Sequence, residues 1–292
     1  RLASVGRPDT GTVGQVLDEL AADAPTDISV LRECRDALAS ATDFLRSREL
    51  VTVFDDPIDV VAMPEIDRGV AVAYCRPARP LEVTPPPTEL AVSPTPAGWS
   101  VDQVRSFYRE YNRHMLHDLV AHEAMPGHAL QLAHSNRYRG STPVRAVWWS
   151  GSFVEGWAVY GEELMADHEY RSDVSPGAGA ALRMQQLKMQ LRMIINAILD
   201  VRYHTGDLDE AQAMALMVER GFQEEGEAAG KWRRVQLTAA QLSTYYVGYC
   251  EVRDLLRDLR HACPEWTQRR RHDTVLGFGS PPVRHLRVLL GL

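Results

Sequence analysis

The chain has 292 residues, of which 45% are hydrophobic and 24% charged, a composition typical of a globular protein. It excludes a disordered, collagen-like or low-complexity protein. Lys and Arg total 32 against 39 Asp and Glu, giving a formal charge of −7. The lack of a basic excess argues against nucleic acid as the main partner.

The first third of the sequence predicts a loose tail over residues 1–10, then two helices and a small β element. Apolar residues recur at helical spacing over 12–22 and 27–50, and Asp27 is the expected N-cap of the second helix. Short segments rich in β-branched residues follow and predict strands: VTVF (51–54), DVVAM (59–63) and GVAVAYC (69–75). The proline-rich stretch 80–99 predicts a loop with at most a short extended piece.

After Trp99 the pattern is almost wholly helical. A run over 101–134 is interrupted at Pro126-Gly127, and further helices are expected at 152–169, 177–204, 208–221, 236–260 and 281–290. Asp207 or Asp209 suits the N-cap of the helix over 208–221. The fold class predicted is therefore mainly α, with a small β element near the N-terminal third. We expect one continuous domain, in which a helical segment (1–50) packs on a catalytic domain (51–292).

Cysteine usage and hydropathy suggest a cytoplasmic protein. The four cysteines are far apart and form no CxxC pair, which is typical of free thiols in a reducing compartment. No apolar stretch is long enough to cross a membrane, and the first residues lack the apolar core of a signal peptide.

The segment HDLVAHEAMPGHALQ (117–131) carries the clearest chemical signal. His122-Glu123 followed by His128 is similar to the zinc-hydrolase pattern H-E-x-x-H, but the second histidine is six residues on instead of four. Six residues turn a straight helix by about 600°, so the two rings would point to different faces. A kink at Pro126-Gly127 could return His128 to the face of His122. The alternative is two unrelated histidines on a helix surface.

A second helical segment supplies a candidate third ligand. Glu155 lies among Phe153, Val154 and Trp157 in an apolar first turn, where a carboxylate is costly unless it is paired or binds a cation. Two histidines and a glutamate from a later helix form the ligand set of thermolysin-type zinc sites. The alternative for Glu155 is a favourable charge at a helix N-terminus. The two glutamates at 162 and 163 fit an exposed face.

Four motifs in order resemble those of the bacterial "domain of unknown function 885" family. HEAMPGHALQ (122–131) is similar to H-E-x-x-P-G-H-x-x-Q, and FVEGWAVYGEE (153–163) to E-G-W-A-x-Y-x-E. Two shorter stretches support them, DVRYH (200–204) and STYYVG (243–248), although Tyr246 stands where the family often has Lys. The resemblance runs from about Leu50 to the end. Members are usually about twice this length, so the chain resembles the metal-bearing C-terminal part or a shortened member.

The resemblance implies a zinc-peptidase-like protein of the glutamate-ligand zincin type with one zinc per chain. His122, His128 and Glu155 would be the zinc ligands and Glu123 the general base. The remaining two site residues, His204 and Tyr245, would line the site opposite the metal.

In the implied mechanism the metal activates a water and polarises the scissile carbonyl, while Glu123 moves the proton to the leaving amine. His204 or Tyr245 would donate to the oxyanion, with Tyr160 a weaker candidate. Asp118, one turn before His122, is the expected acceptor that orients a histidine.

Three functions remain open from the sequence. The first is a zinc-dependent hydrolase of an amide bond in a peptide or peptide-like substrate. The second is a non-catalytic binding or scaffold protein, against which the intact Glu123 argues. The third is a zinc enzyme of a biosynthetic pathway that performs non-hydrolytic amide chemistry. Neither a nucleic acid nor a membrane is expected as a partner.

Overall fold

The computed structural model describes residues 12–68, 72–78, 86–140 and 144–292. The predicted tail over 1–10 lies outside these residues. The described part is mainly helical with one small sheet, which confirms the predicted fold class. The helices are α1 (Val13–Ala21), α2 (Val30–Arg48), α3 (Val101–Glu110), α4 (Arg113–Glu123), α5 (His128–Arg137), α6 (Val144–Val147), α7 (Gly151–Asp167), α8 (Ala178–His204), α9 (Glu210–Ala215), α10 (Glu225–Leu237), α11 (Thr244–Ala262), α12 (Gln268–Leu276) and α13 (Val283–Leu290).

The predicted N-cap of α2 is wrong, because the helix begins at Val30, after Ser29. The Asp27 carboxylate instead accepts hydrogen bonds from the Thr95 N–H at 2.7 Å and from the Tyr108 hydroxyl at 2.6 Å. Asp27 therefore ties the start of α2 to α3 and to the segment that follows the sheet. The prediction of Asp209 as the N-cap of α9 is confirmed, since its side chain accepts from the Gln212 N–H.

The sheet contains three strands, β1 (Ile58–Ala62), β2 (Ala73–Arg76) and β3 (Thr88–Val92), in the order β1-β3-β2. β1 runs parallel to the central strand β3, with Val60 opposite Leu90, and β2 runs antiparallel to it, with Cys75 opposite Leu90. β3 is the extended piece expected within the proline-rich stretch. This arrangement leaves β2 at one edge of the sheet.

The strand predicted at 51–54 is wrong. Within this segment the backbone of Thr52 bonds to side chains of later helices, and β1 begins only at Ile58. Thr52 donates its N–H to the Asp273 carboxylate at 2.8 Å, and its carbonyl accepts from His134 Nε2 at 2.9 Å. The Leu50 carbonyl accepts from His272 Nδ1 at 2.8 Å. The segment thus fastens the N-terminal part to α5 and α12.

One hydrophobic cluster joins α2, the sheet, α4, α7 and α11, with Leu45, Leu90, Leu116 and Trp157 among its buried members. α7 and α11 cross at Gly156 and Gly248. A Cβ added to Gly156 would lie 2.2 Å from the carbonyl carbon of Gly248, so only glycine permits this approach. The crossing brings the residues around Glu155 next to the start of α11, where Tyr245 lies.

The C-terminal half differs from the predicted pattern in two places. α10 and α12 were not predicted as separate helices, and a π-helical turn (Leu216–Arg220) follows α9. A second hydrophobic cluster, which includes Leu199, Met217 and Val235, packs α8, the π-helical turn and α10 together. In the described part of the chain, no helix combines the length and apolarity needed to cross a membrane.

Candidate metal centre

The break between α4 and α5 brings the two histidines together. α4 ends at Glu123 and α5 begins at His128, with a cis peptide between Met125 and Pro126. Gly127 donates its N–H to the Ala121 carbonyl at 2.9 Å, and Trp157 Nε1 donates to the Pro126 carbonyl at 2.9 Å. The rings of His122 and His128 lie 4.7 Å apart between centroids. The helix therefore stops and restarts, which is a larger interruption than the kink expected from the sequence.

Gly127 has no room for a side chain, because an added Cβ would lie 1.7 Å from the His122 carbonyl oxygen. We expect Gly127→Ala to lower the free energy of unfolding by about 3 kcal/mol or more, since the backbone that carries both histidines must shift. Urea denaturation measures this loss. Gly230→Ala in α10, where nothing lies within 4 Å of the added Cβ, is the matched control and should be neutral or slightly stabilising. Equal stability of the two variants would contradict the packing described.

His122, His128 and Glu155 form a cluster that could hold a metal ion. Glu155 Oε2 lies 3.4 Å from Nε2 of each histidine, and all three ligand atoms lie within 4.8 Å of one another. Zn–N and Zn–O bonds of about 2.0–2.1 Å in a tetrahedral site separate ligand atoms by about 3.3 Å. Glu155 Oε2 is buried without a hydrogen bond to any described residue. Spacing, donor types and an unpartnered carboxylate oxygen all fit a zinc-type ion.

The electrostatics of the cluster favour an ionised glutamate. Burial alone would raise the pKa of Glu155, but its contacts with His122 and His128 hold that pKa well below its ordinary value. Burial alone would lower the pKa of His122, whereas Glu155 and Glu162 hold it well above its usual range. The surroundings of Glu155 therefore favour its ionised form, which is the form that binds a cation.

Glu162 is the residue that orients His122. Its carboxylate is 2% exposed and accepts from His122 Nδ1 at 2.6 Å. A proton on Nδ1 leaves the Nε2 lone pair for a metal. The prediction of an exposed Glu162 is therefore wrong. The expectation for Asp118 is also wrong, since both its carboxylate oxygens are buried without a hydrogen bond to any described residue.

The inward position of Glu162 could have been predicted from helical periodicity. Glu162 follows Glu155 by seven residues in α7, about two turns, so both carboxylates lie on one face of the helix.

We expect Glu162→Gln to weaken zinc binding by about 10–100-fold, because the amide is a poorer partner for the Nδ1 proton of His122. Competition with a chromophoric chelator measures the affinity. Glu163→Gln is the matched control, since Glu163 accepts from Tyr249 instead. Equal zinc affinity in the two variants would remove the orienting role.

Glu123 is held at the end of α4 by the edge strand. The Cys75 N–H of β2 donates to Glu123 Oε2 at 3.1 Å, and no hydrogen bond from a described residue to Oε1 is seen. Burial raises the pKa of Glu123, against the lowering effect of His128 and His122. The structure therefore places the predicted base beside the cluster with one oxygen available.

Tyr245 lies against the cluster, with its ring centroid 6.3 Å from that of His122. Its hydroxyl oxygen receives two hydrogen bonds, from Arg234 Nη2 at 3.1 Å and from Gln241 Nε2 at 3.2 Å. The side-chain oxygen of Gln241, Oε1, accepts from the same Arg234 nitrogen at 2.8 Å, and this contact fixes the orientation of the side-chain amide. Neither residue was predicted as a site residue. Arg234 lies in α10, which was not recognised as a helix, and Gln241 lies between α10 and α11.

Two further candidates make contacts away from the cluster. His204 Nε2 lies 2.8 Å from the Thr238 carbonyl and 3.5 Å from Asp200 Oδ1. Asp200 in turn accepts from the Ser243 N–H at 2.9 Å, just before α11. Tyr160 is bonded to His272 Nε2 at 2.8 Å. The described contacts of His204 thus stabilise the turn that precedes Tyr245, and its predicted catalytic role stays a prediction.

Fold and site together define a mainly helical protein with a His-His-Glu cluster of metal-binding type. Comparison with family models gives a more specific assignment, because residues 2–290 match the family described as "Bacterial protein of unknown function (DUF885)". The chain belongs to this family, as the four motifs predicted. No curated protein matches the sequence.

Two solved structures share the fold. A protein from Shewanella oneidensis, described as "a putative lipoprotein of unknown function", is 32% identical with a TM-score of 0.81, over 96% of this chain and 48% of that one. A protein from Colwellia psychrerythraea with a similar lipoprotein description is 18% identical with a TM-score of 0.82, over 99% of this chain and 48% of that one. This chain therefore spans about half the length of the two solved proteins.

Proposed function

We propose that the protein is a zinc-dependent hydrolase that cleaves an amide bond in a peptide or peptide-like molecule. The observation that carries the proposal is the convergence of His122, His128 and Glu155 beside the carboxylate of Glu123. A ligand set of two imidazoles and one carboxylate suits zinc and leaves a coordination position open. When bound there, the ion would supply Lewis acidity toward a carbonyl group and a lowered pKa for water.

Glu123 is the group that would move the proton. Its Oε2 is fixed by the Cys75 N–H, and this contact directs the carboxylate while Oε1 remains able to accept a proton. A carboxylate in this place can take the proton from the attacking water and pass it to the leaving amine. Because Glu123 directly follows His122, base and metal ligand are positioned by the same helix end.

Tyr245 is the group that would donate to the oxyanion. A phenol has one proton and two acceptor lone pairs, and Arg234 and Gln241 both donate to the Tyr245 oxygen. With both acceptor positions used, the hydroxyl proton is free to point toward a substrate oxygen. Burial raises the pKa of Tyr245, so the phenol keeps that proton at neutral pH.

We expect Tyr245→Phe to lower kcat by about 10²–10³-fold with little change in KM, because the lost hydrogen bond forms chiefly in the transition state. Steady-state kinetics on the best peptide found gives both constants. Tyr246→Phe is the matched control, since Tyr246 is 40% exposed at the next position. A Tyr245→Phe enzyme with unchanged kcat would remove Tyr245 from the oxyanion site.

A peptide library tests the proposal directly. The zinc-loaded protein is incubated with N-blocked and C-blocked peptides, and new amines are detected by mass spectrometry. Cleavage that stops after chelation and returns with zinc supports the hydrolase. No cleavage of any peptide by protein that holds zinc would favour a binding protein or a non-hydrolytic enzyme.

Cellular location is a separate proposal. The four free cysteines are compatible with the predicted cytoplasmic location, where thiols stay reduced. The lipoprotein description of the two solved relatives favours the cell envelope instead. Fractionation of the source cells, with detection of the native protein, separates the two.

A further inference from the structure

α10 carries a row of charged residues on the face that looks toward α8. Glu227, Lys231 and Arg234 follow one another at spacings of four and three residues and therefore lie on one side of the helix. Across from them, α8 presents Lys188 and Arg192, also one turn apart and both buried. The two rows belong to the same buried cluster of charges.

Lys231 is the most weakly paired member of this cluster among the described residues. Glu227 accepts from the Tyr111 hydroxyl at 2.9 Å and pairs with Arg192. Lys231 is 5% exposed, and the one ion-pair contact described for its ammonium is with Glu227 Oε1 at 3.9 Å, beyond hydrogen-bond distance. A largely buried ammonium without a hydrogen bond is less favourable than one that donates to an acceptor. A ligand that accepts from Lys231 would provide such an acceptor.

The described part of the cluster also contains more basic than acidic side chains. Among the residues that the structure describes, four basic side chains, the two on α8 together with Lys231 and Arg234, lie around two carboxylates, Glu110 and Glu227. Glu110 is already bonded to Lys188 Nζ at 2.8 Å. Burial and the positive charge of Arg192 lower the pKa of Lys231 to about 7. A negative charge placed beside Lys231 and Arg234 would therefore favour the ammonium form of Lys231.

This side of the cluster adjoins the candidate metal centre. Arg234 donates through Nη2 to the Tyr245 hydroxyl, whose ring lies against His122. Arg234 is only half-buried, and no hydrogen bond from its Nε or Nη1 to a described residue is seen. A molecule that contacts Tyr245 at the metal centre would therefore lie close to the Arg234 guanidinium. Lys231 precedes Arg234 by about one turn of α10.

We propose that Lys231 and Arg234 form a subsite that binds the carboxylate of the substrate, so that the enzyme acts on peptides next to a free C-terminal carboxyl group. The inference rests on the proposed hydrolase function and names its substrate class. Arg234 Nη2 already donates to Gln241 and Tyr245, so Nη1 would donate one hydrogen bond to the carboxylate and the Lys231 ammonium would donate a second. A carboxylate bound here also places a negative charge beside Lys231.

Binding of two small probes tests the subsite without any turnover. 3-Phenylpropanoate carries a carboxylate, and 3-phenylpropanol is its neutral counterpart. Neither probe contains an amide, so neither can be cleaved during the titration. Calorimetric titration of the zinc-loaded protein should show the carboxylate binding at least about tenfold more tightly than the alcohol. Lys231→Met should lose most of this preference while keeping its zinc. Arg233→Gln, which changes the exposed neighbour on α10, should keep the preference in full.

Each outcome decides the inference. If wild type binds the two probes equally, or binds neither, the subsite does not exist. If Lys231→Met keeps the preference, the carboxylate binds elsewhere, for example on the metal. His128→Ala, which lacks a metal ligand, should still prefer the carboxylate. Lys231→Met should be as stable as wild type in thermal unfolding. If it does not fold, Arg234→Gln takes its place in the same titration.

The result is independent of the hydrolase proposal. Absence of cleavage in the peptide library overturns the hydrolase and leaves the measured carboxylate preference unchanged. Conversely, cleavage of C-terminally amidated peptides as fast as of free acids, together with no probe preference, overturns the subsite and keeps the hydrolase.

Discussion

Glu123→Gln is expected to bind as much zinc as wild type and to lose about 10³-fold or more in kcat. The proposed metal ligands are His122, His128 and Glu155, so the substitution leaves the ligand atoms untouched. Glutamine keeps the size of the side chain and can still accept from the Cys75 N–H. Its amide cannot take up a proton, and general acid–base catalysis contributes about 10²–10⁴-fold. Peptide cleavage and zinc content, measured on one preparation, check both halves of the expectation.

Glu265→Gln provides the control for this substitution, because Glu265 is exposed far along the chain, after α11. It should keep full activity. A Glu123→Gln enzyme with the wild-type rate would show that another group is the base. A variant that loses zinc as well would make Glu123 part of the metal site, and the three-ligand assignment would then need revision.

The three residues of the His-His-Glu cluster could be predicted from sequence because their chemistry is unusual for their positions. Glu155 follows apolar residues in a helix, and Pro126-Gly127 stands where a plain zinc-binding helix would continue. Each is locally unfavourable, and a functional site is where such conflicts are expected. The geometric expectation, that the three side chains converge, is confirmed by the structure. The identity of the ion stays a prediction.

The partners of these residues were harder to predict, because they depend on long-range packing. Asp118 is one turn from His122 and was a reasonable acceptor on local geometry alone. The structure uses Glu162 of α7, which is 40 residues away in sequence. Cys75 reaches Glu123 only because β2 takes the edge of the sheet, an order that no local pattern specifies.

Long-range packing also explains the errors in the predicted secondary structure. VTVF at 51–54 has strand-forming residues, yet the N–H and carbonyl of Thr52 bond to side chains of α12 and α5, and the segment lies outside the sheet. In α10, Lys231 is buried, and Glu227 and Arg234 are half-buried, so charged residues occupy part of the inward side of the helix. Such residues do not contribute to apolar periodicity, and Arg234 beside Tyr245 was not predicted for this reason.

His128→Ala is expected to reduce bound zinc from about one ion per chain to nearly none after dialysis, because it removes one of three ligands. Loss of an outer partner alone typically costs 10–100-fold in affinity, and loss of a ligand should cost more than about 100-fold. Elemental mass spectrometry on untagged protein measures the ratio, and His261→Ala, at an exposed position in α11, should keep the wild-type value. If His128→Ala retains the metal, the ion lies outside the His122–His128–Glu155 cluster. If wild type holds no zinc even after it is added back, the hydrolase mechanism is lost and a binding protein becomes the better interpretation of the same fold.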